Sequence, residues 1–439
     1  MIISNPSRHP VAFSASYPSG GIQVGTIIQL IEEILEEKIG LPTRDIFSGG
    51  IVALSVGTIL STMSLISDHQ DPSKPLYNAK ERGDLFRYGS AQLISPSMRY
   101  PELWRLCGEF TGLAQAGLTE ATTLGAKGAY SIADVFNATH KLPTPLVVRK
   151  YMQHEHRGIH MNTDRFDTAL RTHFGYTKLS DLSGSIIFPV SRVTNNPYEQ
   201  SAVFYRLERP DGTVDFSSTR RADGEIISHA DLEVYNIIKA SIAIPGVMEP
   251  HTISELGEEY EDIGHIASPA AHIHRLQKLM PEKVDHGHFM FGRALFPLLT
   301  GVRGLLAGIF SGYLKDMTCV QTYLDTKAAF SEALGDRFLE LSFLFDKARF
   351  NDAGYTDKMP KKSILNNRPD QIKAIRDAVR FELEVLRAEE FNQIIAILKE
   401  NAERILEMKA SGEYYKQHRG DMAQDSVVPF QPRALGAGT

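Results

Sequence analysis

The chain has 439 residues, 42% hydrophobic and 23% charged, an ordinary globular composition that excludes wholesale disorder and needs no disulfide or metal staple. Lys and Arg number 47 against 53 Asp and Glu, so the net charge is −6 and bulk positive charge for nucleic-acid binding is excluded. Cys107 and Cys319 stand far apart without metal or disulfide spacing, which points to a reducing compartment.

The N-terminus, Met1 to Pro10, is polar and lacks the apolar run of a secretory signal. The expectation is a cytoplasmic protein or one peripheral at membranes, with signal-less export left open. Length alone predicts two or three domains. After Gly20-Gly21, the apolar residues Ile27, Leu30, Ile31, Ile34 and Leu35 recur at helical spacing, and Gly40-Leu41-Pro42 ends that helix. Ile46 to Leu54 is short, apolar and glycine-containing, the pattern of a buried strand. A sharp turn at Ser55 leads into a second helix, Val56 to Ile66.

Ser67 to Lys74 is a polar loop, and Gly125 to Tyr130 reads as a turn. Ser185 to Val190 and Ala202 to Leu207 predict strands, and Val234 to Ala243 predicts a helix ending at Ile244-Pro245-Gly246. Phe289 to Leu314 is apolar but broken by Arg293 and Arg303; a buried helical pair leads over an interfacial surface and a membrane span. Beyond residue 330, Ile372, Ile375, Val379, Leu383 and Leu386 open a helical period that runs on through Leu406. The domains expected are therefore 10–330 as one catalytic unit, 331–410 as a helical layer or partner surface, and 411–439 as a disordered tail.

Three elements carry chemistry. Ala53-Leu54-Ser55-Val56-Gly57 sits at a strand-to-helix junction, where small residues flank a serine as a nucleophile elbow requires. The bland alternative is a buried serine capping a helix. Ser19-Gly20-Gly21 frees backbone N–H groups for an anion, although it lacks the dinucleotide fingerprint. Glu261-Asp262-Ile263-Gly264 offers a turn aspartate that could deprotonate a serine. His154, His156 and His160, and His272 with His274, read either as metal clusters or as exposed loop histidines.

In this order, these elements resemble the patatin-like phospholipase family. Ser19 to Val24 matches its glycine-rich oxyanion loop, Leu30-Ile31-Glu32 its first helix, and Ala53 to Gly57 its elbow. Lys74 to Lys80, Phe174-Gly175 with Leu179-Ser180-Asp181-Leu182, and Ala240 to Pro250 match further segments, and Asp262-Ile263-Gly264 stands where D-G-G is expected. The chain departs from the pattern at Ser19, Gln23, Val24, Ala53 and Ile263.

The resemblance implies a three-layer α/β/α domain with a largely parallel central sheet and additional C-terminal helices. It implies a phospholipase A-type acyl hydrolase with Ser55 and Asp262 as a catalytic dyad and Gly20 and Gly21 as the oxyanion hole. Ala53 and Gly57 would shape the elbow, with Gly264 supporting the aspartate. No metal or cofactor is implied. The partners implied are a phospholipid or other acyl-lipid substrate and peripheral membrane contact, with a protein activator or homo-oligomer left open. Two other readings remain: a catalytically silent scaffold of this fold, and an unrelated esterase with a histidine triad.

Overall fold

The helical period of residues 27–35 closes into helix α1, Gly21–Ile39, whose apolar stripe is buried. The computed structural model describes residues 13–17, 21–93 without 69 and 72, 164–243 without 195–198, 210–211 and 222–223, 248–263, 279, 287–295, 328, 331–332, 334–361 and 368–412. Gly20, Gly264, the histidines 154, 156, 160, 272 and 274, both cysteines, the turn at 125–130 and the tail from 413 lie outside these residues.

A nine-stranded sheet organises the chain. Strands β1 (Ser14–Tyr17), β2 (Gly50–Ala53) and β3 (Ile186–Arg192) run parallel in that order. On the other side of β1, the strand His288–Leu295 and then Phe338–Leu344 extend the parallel array. Beyond β3, Ser201–Glu208 and Val214–Phe216 add antiparallel strands. Glu258–Glu261 pairs antiparallel with the far end of β3. The fold is thus mixed α/β, with a mostly parallel central sheet flanked by helices.

Strand side chains alternate between faces, and both faces here are buried. Ala15, Tyr17, Ile51, Ala53, Ile186, Phe188 and Phe289 point into the main core with α1. Val52, Leu54, Ile187, Leu207 and Ile263 form a second cluster on the opposite face. Against the main core pack α3 (Val56–Leu65), α4 (Ala79–Leu93), α5 (Asp164–Phe174) and α6 (Val234–Ile242), taking Thr43–Ile46 as the short α2.

Two elements differ from the sequence reading. Ile46 to Leu54 is not one strand: α2 ends at Ile46, and Gly50, with φ +116, starts a strand of only four residues. The start of the 289–314 run is strand rather than helix, because Phe289 lies between two parallel neighbours in the sheet interior; residues 296–314 lie outside the described residues. Segment 331–410 also holds the sheet strand Phe338–Leu344 ahead of its helices, α7 (Lys347–Asp352), α8 (Pro369–Phe381) and α9 (Ala388–Ser411). A π-helical turn, Glu382–Leu386, joins the last two. No helix among the described residues is long and apolar enough to cross a membrane.

Candidate active site

Strand β2 ends at Ala53 and α3 starts at Val56, so the chain must reverse within two residues. The Gly57 N–H donates to the Leu54 carbonyl at 2.9 Å, closing a four-residue turn with Ser55 at its first central position. Ser55 has φ 51° and ψ −129°, the dihedrals of that position in a type II′ turn, where glycine is the usual residue. It is the one non-glycine residue with positive φ among the described residues. Such a conformation costs of order 1–3 kcal/mol and persists only where its surroundings hold it.

The capping alternative for this serine does not match the geometry. Ser55 occupies the N-cap position of α3, yet its side chain makes no capping hydrogen bond. A capping serine takes extended backbone angles and accepts from the helix's first N–H groups; Ser55 does neither.

Tyr17, the last residue of β1, holds the turn from one side. Its carbonyl accepts the Leu54 N–H at 3.2 Å, and β1 and β2 are in register at Tyr17 and Ala53. Gly57 lies so close that a Cβ there would stand 2.6 Å from Tyr17 Cβ and 3.2 Å from its carbonyl oxygen. Gly57 is therefore required by close approach, whereas Ala53 already carries a Cβ in the buried core.

The C-terminal end of α6 holds the turn from the other side. The Ser55 N–H donates to Ser241 Oγ at 3.1 Å. Two residues on, the Ala243 carbonyl accepts the Asp262 N–H at 2.9 Å. One short stretch, 241–243, thus anchors the backbones of both Ser55 and Asp262. Each is buried, at 3% and 1% exposure. Asp262 directly follows the strand Glu258–Glu261, which pairs with the carboxyl end of β3. Ser55 lies beyond the carboxyl end of β2, and Gly21 opens α1 beyond the carboxyl end of β1 with φ +66°. Open α/β sheets place their ligand sites at this edge.

Next to Asp262, burial and the neighbouring Asp262 charge push the Glu261 carboxyl up to about 7. Beneath Tyr17 lies a buried ionic network. The Tyr17 hydroxyl donates to Glu32, and the wholly buried Arg82 bonds Glu32 at 3.1 Å, Glu36 at 2.9 Å and Thr43 Oγ1 at 2.9 Å. Burial pushes Glu32 and Tyr17 up; it would depress Arg82, but the two carboxylates outweigh it and raise the guanidinium instead.

Ser241 and this network were not singled out as site residues from the sequence. Ser241 lay inside the Ala240 to Pro250 run, and only its bond to Ser55 gives it a role. Glu32 enters the sequence reading only within the segment matching the family's first helix, and Arg82 carries no sequence signal of its own.

No protein-family model matches the chain, and no curated protein does. Among solved structures, the crystal structure of VipD from Legionella pneumophila is similar at a TM-score of 0.27 and 12% identity, over 96% of this chain and 82% of that chain. At that TM-score the similarity carries no argument. The family resemblance rests on the sequence motifs.

Proposed function

We propose that this protein is a patatin-like lipid acyl hydrolase with the three-layer α/β/α arrangement of that family, acting on fatty-acyl esters of phospholipids or related lipids through Ser55 and Asp262. The observation that carries the reading is the backbone of Ser55: a serine in a glycine-type conformation at a strand–turn–helix junction, without a capping role. A nucleophile elbow has this form, since the tight turn lifts the hydroxyl clear of the backbone at the sheet's carboxyl edge.

In this mechanism Ser55 Oγ attacks the ester carbonyl carbon while Asp262 takes the hydroxyl proton. The tetrahedral oxyanion is held by the N–H groups of Gly20 and Gly21 and by the positive N-terminal end of α3. Collapse breaks the bond to the alcohol, which leaves with the proton from Asp262. Asp262 then deprotonates a water that hydrolyses the acyl-enzyme and returns the proton to Ser55. The anchoring of both backbones on residues 241–243 supports the pairing of these groups. The substrate would be met at a membrane surface by peripheral contact.

A fluorophosphonate probe tests this directly. Labelling at Ser55 is expected in the wild type and absent in Ser55→Ala. Asp262→Asn should lower ester turnover by roughly 10²–10⁴-fold, the range for loss of a general base. Undiminished turnover in Ser55→Ala would sink the assignment.

A further inference from the structure

Tyr17 is gripped at both ends. Its near end bears on the elbow: the Tyr17 carbonyl accepts the Leu54 N–H at 3.2 Å, and the space that Gly57 leaves empty lies against Tyr17 Cβ. Its hydroxyl, at the far end of a ring with no solvent exposure, donates to Glu32 of α1. Tyr17 therefore carries a direct mechanical link from the buried ionic network to the turn that presents Ser55.

Glu32 is itself fixed. Arg82 donates to it from Nε at 3.3 Å and from Nη2 at 3.1 Å. The same guanidinium bonds Glu36 at 2.9 Å, Thr43 Oγ1 at 2.9 Å and, through Nη1, the Tyr77 carbonyl at 2.9 Å. Glu36 in turn accepts the Thr43 N–H at 2.9 Å, the Thr43 hydroxyl at 2.8 Å and the Ala79 N–H at 2.7 Å. The middle of α1 and the first residues of α2 and α4 thus meet at one charged point, and the Tyr17 ring is bonded to it. Apolar residues of the same volume are often as stabilising as a buried ion pair, so stability alone does not account for the arrangement. A phenylalanine at position 17 would fill the same core without the cost of burying a hydroxyl. What the charged point adds is direction, because a planar guanidinium holds its acceptors in a set geometry.

We propose that Tyr17 is a positioning residue for the elbow: Glu32, held by Arg82, fixes the Tyr17 ring, and Tyr17 fixes the Leu54–Gly57 turn and with it the Ser55 hydroxyl. In its consequence for catalysis this rests on the hydrolase reading. A ring released from Glu32 can slide, and two contacts transmit the slide: the Leu54 N–H bond lengthens, or Cβ presses on the first turn of α3 at Gly57. Misplacing a reacting group by about 1 Å can cost on the order of 10²-fold in rate, so a small slide is enough to matter.

The test compares full-length wild type with Tyr17→Phe, which removes only the hydroxyl, and Glu32→Gln, whose amide can still donate to or accept from that hydroxyl. Hydrogen exchange at the 54–57 amides is read against the α9 stretch 391–398 as a control. Labelling of Ser55 by a short-chain fluorophosphonate, and kcat and KM on p-nitrophenyl butyrate, are measured on the same samples. In Tyr17→Phe, exchange at the elbow should rise about tenfold more than at the control, and labelling and kcat should each fall about tenfold with KM within about twofold. Glu32→Gln should stay within about threefold of wild type at the elbow and in turnover, although it breaks the buried ion pair. Elbow exchange that rises no more than the control in Tyr17→Phe, or as much in Glu32→Gln as in Tyr17→Phe, overturns the proposal. Should Tyr17→Phe not fold, the double variant Tyr17→Phe with Glu32→Gln, which leaves no buried carboxylate beside the lost hydroxyl, replaces it under the same criteria. If the wild type is neither labelled nor active, the hydrolase reading falls, and the exchange comparison alone decides the positioning.

Discussion

The elbow conformation makes a prediction about stability that runs against the usual effect of glycine. At φ 51° and ψ −129°, Ser55 holds a backbone that a residue with a Cβ adopts at a cost of order 1–3 kcal/mol. Ser55→Ala keeps the Cβ and the strain, and Ser55→Gly removes both. Against this relief stands the greater freedom of glycine in the unfolded chain, about 0.5–1 kcal/mol. Ser55→Gly should therefore be more stable than Ser55→Ala by about 1 kcal/mol, although both lack the hydroxyl. Ser61, fully buried five residues into α3, supplies the control. There the backbone is helical, and Gly should be less stable than Ala by about 1 kcal/mol. Urea unfolding of the four variants measures both differences. Opposite signs at positions 55 and 61 are expected; the same sign at both would refute strain at the elbow.

Two further consequences concern the surrounding fold. Arg82→Met leaves the Glu32 carboxyl buried without its cation and should cost roughly 3–5 kcal/mol in chemical unfolding. The double variant with Glu32→Gln should recover part of that loss, and a single-variant cost below about 1 kcal/mol would show that the network does not hold α1 and α4 together. His229 is bonded by Ser217 at 2.7 Å and Thr219 at 2.8 Å, and burial lowers its pKa from 6.5 to about 4. The folded state thus takes up its proton less readily than the unfolded chain, so this stability is complete above pH 6.5 and is lost as pH falls toward 4. The loss is up to about 3 kcal/mol. His229→Gln should flatten the unfolding midpoint across that window, only in part, because burial also depresses His251 and His288 to about 4 and 3. An unaltered pH profile would exclude His229 as a contributor.

The parts of the site that were legible in the sequence are the parts fixed locally. The residues 53–57 show a serine between small neighbours at a strand–helix junction, and the period of α1 predicts its buried face. Parallel strands buried on both faces have no alternation to read, so the run beginning at Phe289 reads as a helical pair rather than as a strand. Gly50 broke the expected 46–54 strand because its φ of +116° suits a turn into the strand. Long-range pairings left no local trace. Arg82 lies among Lys80 and Glu81, and nothing in that run says that it alone is fully buried against Glu32. Likewise, Ser241 holds the Ser55 N–H through a contact between distant segments.

The glycines that this chain has kept and lost can be weighed against its own geometry. At position 57 a Cβ would press on Tyr17 Cβ and on its carbonyl oxygen, so the helix could not start where it does. At position 53 a Cβ is already accommodated, fully buried in the core that Tyr17 and Val56 share. The departure from the family pattern at Ala53 therefore removes none of the space that the turn requires. Ser55 is the opposite case: its backbone favours glycine, and the side chain it carries gives the helix no cap in return. A scaffold without chemistry would gain stability from glycine at that position, and a hydrolase would lose its nucleophile. The strained serine makes sense as a trade of local stability for a presented hydroxyl. That balance favours the proposed catalytic reading over the silent one, even though Ser19, Gln23 and Val24 depart from the family's oxyanion-loop pattern.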